Sequence, residues 1–205
     1  MPTELLVVGA GGHAKVVIEA VLAGSPECRI SLVDQDVSRV GQILLGKITI
    51  QPWDSGSKFP QRCHIAIGNN LIRQELGGKA LMQGRQLFEV VHPDAYISPS
   101  AHLYDGCFVA AKAVIGAEAI IGEGCIINHG SIIDHDCHIG SYSHIAPNAT
   151  LGGGVHVGEA CLIGSGATIL PRVEVGNCVV IGAGAVVTCN VPDNKIVVGV
   201  PGTSI

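Results

Sequence analysis

From residue 97 to residue 187 every sixth residue is aliphatic, from Ile97, Leu103 and Val109 through to Ile181 and Val187, sixteen positions without a slip of register. The residue four places after each is small or Val, as at Ala101, Cys107, Ala113 and on to Val191. A strand alternates its faces with period two, so each aliphatic residue and the small residue two before it point the same way, inward. A six-residue period held this long is the mark of a parallel β-helix. Three short faces make a triangular coil of about 18 residues, and coils stack at about the inter-strand spacing of 4.8 Å. Sixteen hexads give about five coils. Gly, Asn and Asp gather where the chain turns a corner.

The chain before this repeat follows another pattern. Leu5–Val8 is a short apolar run ending in GAGGH; Ala14–Ala23 reads as a helix; Ile30–Val33 is a second strand ending at Asp34; Cys63–Ile67 is a third. Residues 71–88 read as a further helix, with Gly77-Gly78 as the point where it could break. Strand–helix alternation implies a short parallel sheet with ligands at the strand C-termini. The expected division is an α/β domain over 1–90 and a β-helix over 91–205.

Composition supports this division. Apolar residues are 47% and aromatics 3%, so the core is built from Val, Ile, Leu and Ala. The formal net charge of −5, with no basic run, argues against nucleic acid as a partner. No stretch of 18 or more apolar residues is present to span a membrane, and the N-terminus lacks a basic, uninterrupted signal. A cytoplasmic protein with reduced thiols is expected. Cys107, Cys125, Cys137 and Cys161 fall on the small inward position and act as compact fillers. Cys107 and Cys125 are one coil apart, which leaves a disulfide open, though a reducing compartment opposes it.

The densest chemistry lies in SIIDHDCHIGSYSH, residues 131–144. Register places Ile133, Cys137, Ile139 and Ser143 inside and leaves Asp134, His135 and Asp136 at an outward corner. Three readings compete. A metal site needs several converging ligands, but the cysteine here points inward and there is no CxxC pair. A solvated corner histidine is the plainest reading. A general base fits the two flanking acids, because a carboxylate beside an imidazole orients it and raises its basicity. Eighteen residues on, in the same column, stands Gly153. A glycine there leaves its backbone open to a ligand and offers an N–H donor to an oxyanion, which with a base is the minimum kit for acyl transfer.

GAGGHAKVV, LVDQD, AIGNNLIR, HPDAYISPSA, NHGSIIDHDCHIGSYSHIAPNA, GSGATILP, IGAGAVV and VGVP together resemble the NeuD/PglD group of hexapeptide acyltransferases. The resemblance runs nearly end to end, and GGH followed by IGNNxxR is its most specific part. It implies an α/β nucleotide-sugar-binding domain followed by a left-handed parallel β-helix. It also implies a homotrimer with acetyl-CoA in the groove between subunits, no metal, and a UDP-linked amino sugar as acceptor. The catalytic histidine then falls on His135 with its acidic helper at Asp136. His144 meets the acetyl-CoA, Gly153 donates to the thioester carbonyl, and Ser165 and Ala183 line the CoA. Asn128 touches the sugar. The substrate loop falls on Gly11, Gly12 and His13, base recognition on Asp34 and Gln35, and the loop after the third strand on Gly68, Asn69 and Arg73. Two departures stand out. Gln35 replaces an acid, although Asp36 follows, and the chain ends VPGTSI where the group commonly ends VPAK, removing a lysine from the adenine end of CoA.

GAGGHA also resembles the dinucleotide fingerprint, with Asp34 about 20 residues on, but three expected strands leave no second mononucleotide half. The glycines still let a diphosphate approach the helix N-terminus. The expected activity is N-acetylation of a UDP-linked 4-amino sugar giving a UDP-N-acetylbacillosamine-type product. O-acetylation of sialic acid, as in NeuD relatives, is the alternative with the same base. A non-catalytic nucleotide-sugar-binding scaffold is the alternative of another class.

Overall fold

The computed structural model describes residues 3–53 and 59–205. The N-terminal part contains β1 (Glu4–Val8), α1 (Gly12–Gly24), β2 (Arg29–Asp34), β3 (Ile43–Leu44), β4 (Ile48–Pro52), β5 (Arg62–Ile65), α2 (Asn70–Met82) and β6 (Gln86–Leu87). They form one sheet in the order β3-β4-β2-β1-β5-β6, parallel except for the β3–β4 hairpin. The apolar runs of β1, β2 and β5 are the three strands expected from sequence. The short edge strands carry little pattern: in β4 only Ile50 is buried. Helix α2 ends at Met82 rather than running to 88, because Gly84 takes φ +75° and the chain turns into β6 beside Cys63. Gly77-Gly78 does not break it. Gly77 lies against the Tyr142 ring, and a Cβ there would meet the Tyr142 hydroxyl at 2.7 Å.

The rest of the chain is a left-handed parallel β-helix with three faces. The first face runs through Val90–Val91, Phe108–Val109, Ile126–Ile127, His144–Ile145, Leu162–Ile163 and Val180–Ile181. The second contains Val114–Ile115, Ile132–Ile133 and Thr150–Leu151, and the third Ile120–Ile121, His138–Ile139 and His156–Val157. Neighbouring coils pair 18 residues apart, as Ile133 with Leu151. Fourteen of the sixteen aliphatic positions are buried; Ile97 and Leu103, in the first coil, are partly so. Val91 extends the register one hexad earlier, since Val90–Val91 already pairs with Phe108–Val109. The last coil is shorter: Val175 bridges Val191 and Ile181 pairs with Val197, each 16 residues apart. From Gly106 to Gly184 the corners turn through a left-handed residue three places after the aliphatic one, as at Glu118, Asp136, Tyr142 and Asn148, all with φ between +57° and +59°.

Cys107, Cys125, Cys137 and Cys161 are buried free thiols, donating to the carbonyls of Gly122, Gly140, Gly152 and Gly176. The two parts share a core where α1 (Ala14, Val17, Ile18, Val21) lies on Val90, Phe108 and Ile126 of the first face. Among the described residues no helix is long and apolar enough to cross a membrane.

Candidate active site

His135 stands on the corner that joins the second face to the third. Its inward neighbours Ile133 and Cys137 are fully buried, and this pins Asp134, His135 and Asp136 outside the prism. The side chains of His135 and Asp136 are 61% and 63% exposed. The left-handed backbone at Asp136 (φ +59°) turns its carboxylate back onto the ring, and His135 Nδ1–H donates to Asp136 Oδ2 at 2.6 Å. The backbone N–H of His135 donates to Asp134 Oδ1 at 2.7 Å. The ring is thereby oriented with Nε2 left as the acceptor. The hydrogen bond to Asp136, and then the charge of Asp134, raise its pKa above the ordinary imidazole value.

Gly153 lies in the coil beneath. A Cβ there would meet His135 Nε2 at 2.5 Å and Cε1 at 2.6 Å. The space that sequence reasoning reserves for a ligand is thus taken by the imidazole itself, and glycine is required because the ring rests on it. The N–H of Gly153 makes no hydrogen bond among the described residues; its carbonyl accepts from Arg172.

A second group collects where the two parts of the chain meet. His144 projects from the first face, half-buried, and its Nε2 accepts from Asn128 Nδ2 at 3.1 Å. Burial, then the Arg73 charge, lower its pKa to about 4, so it is neutral. His13, at the head of α1, sets its ring edge-on to Phe108 at 5.1 Å, and its Nε2 is buried without a partner. Burial, then the charges of His64, His144, Arg73 and His129, lower its pKa to about 3. Gly11 and Gly12 face open space before it, and no side chain caps the helix. His64 and His129, absent from the sequence expectations, belong to this group. The signal for His64 is its place as a polar residue inside the CHIAI strand.

Asp34, at the end of β2, accepts from the backbone N–H of Ala10 at 2.7 Å and of Asp36 at 2.9 Å, tying the glycine loop to the sheet edge. Gln35 is exposed beside it. Asp36, following, accepts from Ser38 and pairs with Arg39.

The expectation that Arg73 faces the nucleotide is corrected. Arg73 is only 2% exposed. Its Nε donates to Gly124 O, Nη1 to Ile67 O and Gly68 O, and Nη2 to Asn70 Oδ1 and Tyr142 O. These bonds occupy all five guanidinium N–H groups, leaving none for a ligand. Gly68 and Asn69 are exposed at the same loop, where Asn69 caps α2 by accepting from Ile72 N.

Ser165 and Ala183 share one exposed column, since Ile163 pairs with Ile181. Their corner leaves the first face for the second, the edge that also bears Asn128. His135 and Gly153 stand on the next edge, so the second face separates the two groups within one chain. Beside the His135 corner, a groove of about 570 Å³ opens on the third face, lined by His138, His156, Glu174 and Asn190 among others. The His138 and His156 rings stack there, 4.6 Å apart. Among the described residues no group of three or more His, Cys, Asp or Glu is placed to hold a metal ion.

No curated protein matches the chain. Residues 4–79 match the PglD N-terminal domain, and residues 118–153 and 154–189 match the bacterial transferase hexapeptide (six repeats) family. Among solved structures it is similar to a mutant perosamine N-acetyltransferase from Caulobacter crescentus in complex with CoA and GDP-perosamine. That match has 37% identity and TM-score 0.92, covering 98% of this chain and 96% of that one. The acetyltransferase domain of PglB from Neisseria gonorrhoeae is 35% identical, with all of both chains covered and TM-score 0.92. Its complex with acetyl coenzyme A gives 0.90 at the same identity and coverage. WeeI from Acinetobacter baumannii is 26% identical, with 98% and 99% covered and TM-score 0.87. The α/β unit, the hexad β-helix and these end-to-end likenesses agree, and the chain belongs to the PglD-type hexapeptide-repeat acyltransferases.

Proposed function

We propose that the protein transfers an acetyl group from acetyl-CoA to the amine of a nucleotide-linked amino sugar, with His135 as general base. The observation that carries this is the His135–Asp136 pair at 2.6 Å on an outward corner, its ring resting on Gly153. Neutral His135 takes the proton from the amine through Nε2 as the nitrogen attacks the thioester carbonyl. The tetrahedral oxyanion takes the free N–H of Gly153. The C–S bond then breaks, and the imidazolium returns its proton to the departing CoA thiolate. His144, neutral and with Nε2 engaged by Asn128, is left with Nδ1–H as a donor toward the acetyl group.

The site is read as shared between subunits of a homotrimer. His135 and Gly153 stand on one edge of the prism and Asn128, Ser165 and Ala183 on another, so two edges from neighbouring copies supply both groups to one groove. A convex prism alone makes a poor pocket, and a cleft between two prisms makes a good one. The nucleotide is assigned to the loop at Gly11, Gly12 and His13, with Asp34 behind it and Gln35, Gly68 and Asn69 around it. The open N-terminus of α1 suits a diphosphate. For the sugar, the UDP-linked 4-amino-dideoxy type giving a UDP-N-acetylbacillosamine-type product is preferred on the IGNNxxR resemblance. The perosamine enzyme it resembles is seen in complex with a GDP-linked sugar.

One panel tests both levels. Free thiol release is followed with acetyl-CoA and, in turn, a UDP-linked 4-amino sugar, GDP-perosamine and free sialic acid. Turnover with an amino sugar alone supports the reading. Turnover confined to sialic acid moves the acceptor to a hydroxyl, and absence of thiol release with every acceptor overturns the enzyme assignment. His135→Ala is expected to lower kcat by about 10²–10⁴-fold.

A further inference from the structure

Arg73 is the largest fully buried side chain of the described residues, and its hydrogen bonds go only to carbonyl and amide oxygens. These oxygens come from two separate parts of the chain. On one side are Ile67 and Gly68, in the loop between β5 and α2, and Asn70, the first residue of α2. On the other are Gly124 and Tyr142, at the corner between the third and first faces, and Ser143 O at 3.5 Å, whose next residue is His144. We propose that Arg73 is a positioning residue: a single buried guanidinium locks the loop after β5 to the Tyr142–Ser143 corner and so fixes His144. This rests on the reading of His144 as a contact of the acetyl donor.

The surroundings support a joint built for rigidity. Tyr142 is buried with a left-handed backbone, donates its hydroxyl to Glu123 Oε1 at 2.6 Å, and lies where a Cβ on Gly77 or Gly124 would collide with it. Asn70 adds bonds to Ala160 O and Cys161 O at 3.1 and 2.8 Å. Lysine cannot replace the guanidinium, because three donors on one nitrogen do not reach five diverging acceptors. The charged and titratable groups that face His144 are Arg73 on α2 and His13 at the head of α1; Asn128 opposite is neutral. A permanent cation held near a half-buried imidazole disfavours its protonation, the direction found for His144.

The test is a pH titration of the His144 ring by NMR, assigned with His144→Asn, in wild type, Arg73→Lys and Tyr142→Phe, with steady-state kinetics beside it. In the wild type His144 is expected to stay neutral down to about pH 4. In Arg73→Lys its titration moves up by about a unit as the corner loosens, and kcat falls about tenfold or more. Tyr142→Phe weakens the same joint but leaves the Tyr142 carbonyl to Arg73, so the titration and kcat stay as in wild type. A wild-type His144 that titrates at the ordinary imidazole pH overturns the proposal without any variant, even if Arg73→Lys does not fold. So does an Arg73→Lys protein with wild-type titration and kinetics, or a Tyr142→Phe protein that shifts as far as Arg73→Lys. The titration does not depend on turnover, so a failure of the acetyl-transfer reading is seen separately, in absent thiol release.

Discussion

The behaviour of His135 follows from three neighbours, each acting through a different physical route. Asp136 acts through a hydrogen bond made possible by its left-handed backbone, Asp134 through its charge and a carboxylate oxygen that accepts from the His135 backbone N–H, and Gly153 through the absence of a Cβ. Because the ring's pKa is raised, the acid limb of a pH–rate profile should lie above the ordinary imidazole value of about 6.5. Asp136→Asn removes the main cause, so that limb should move to lower pH while the plateau rate falls; kcat/KM measured from pH 5 to 9 checks it. An unmoved limb would show that the titrating group is not His135. Gly153→Ala places a methyl 2.5 Å from Nε2, forcing the ring off its shelf. It is expected to lower kcat by about 10²-fold or more, since small misplacement of a reacting group is costly. Circular dichroism spectra should remain those of a β-helix.

At the scale of elements, the prism supplies the rigidity that a corner site needs. After the first, each coil contributes buried inward aliphatic residues, worth roughly 1.5–3 kcal/mol apiece in burial. Ile133→Ala empties a site directly beneath the His135 corner and is expected to lower stability by about 2–5 kcal/mol. In a chain of this size that is a fall of at least several degrees in Tm by differential scanning calorimetry. This register was legible in the sequence because a six-residue period leaves no alternative inside-out assignment: one slip would bury Asp134 and expose Ile133. The corner site was legible for the same reason. What lay beyond sequence were interactions that cross between the two parts. Nothing local in AIGNNLIR tells that Arg73 spends every donor on carbonyls up to 70 residues away. The edge strands β3, β4 and β6 were missed because two-residue or half-exposed strands carry no alternation, and the shortened last coil because Val191 suits an 18-residue count nearly as well as a 16-residue one.

For the whole molecule, the junction between the α/β part and the β-helix is the acid-sensitive place. Three histidines are held neutral there with pKa values lowered by burial: His64 and His144 to about 4 and His13 to about 3. His64 is fully enclosed, with Nδ1 bonded to Phe88 O at 2.9 Å. In the unfolded chain each ring takes up a proton from about pH 6.5 downward. The folded ring does so only near pH 4 or below, so between these limits the unfolded state binds more protons and stability falls as pH falls. With three such rings the slope approaches about 4 kcal/mol per pH unit in the lower part of that window. Thermal melting followed from pH 8 to pH 4 should give a Tm that is steady above about pH 7 and drops increasingly below 6.5. Ordinary carboxylates titrate near or below pH 4 and so do not produce that onset. His64→Asn keeps a side-chain N–H donor while removing one titrating ring, so it should flatten the pH dependence by about one proton's share. A Tm that stays level from pH 7 down to 4.5 would mean that these rings are hydrated and free to charge, and the close packing of His13 against Phe108 would have to be abandoned with it.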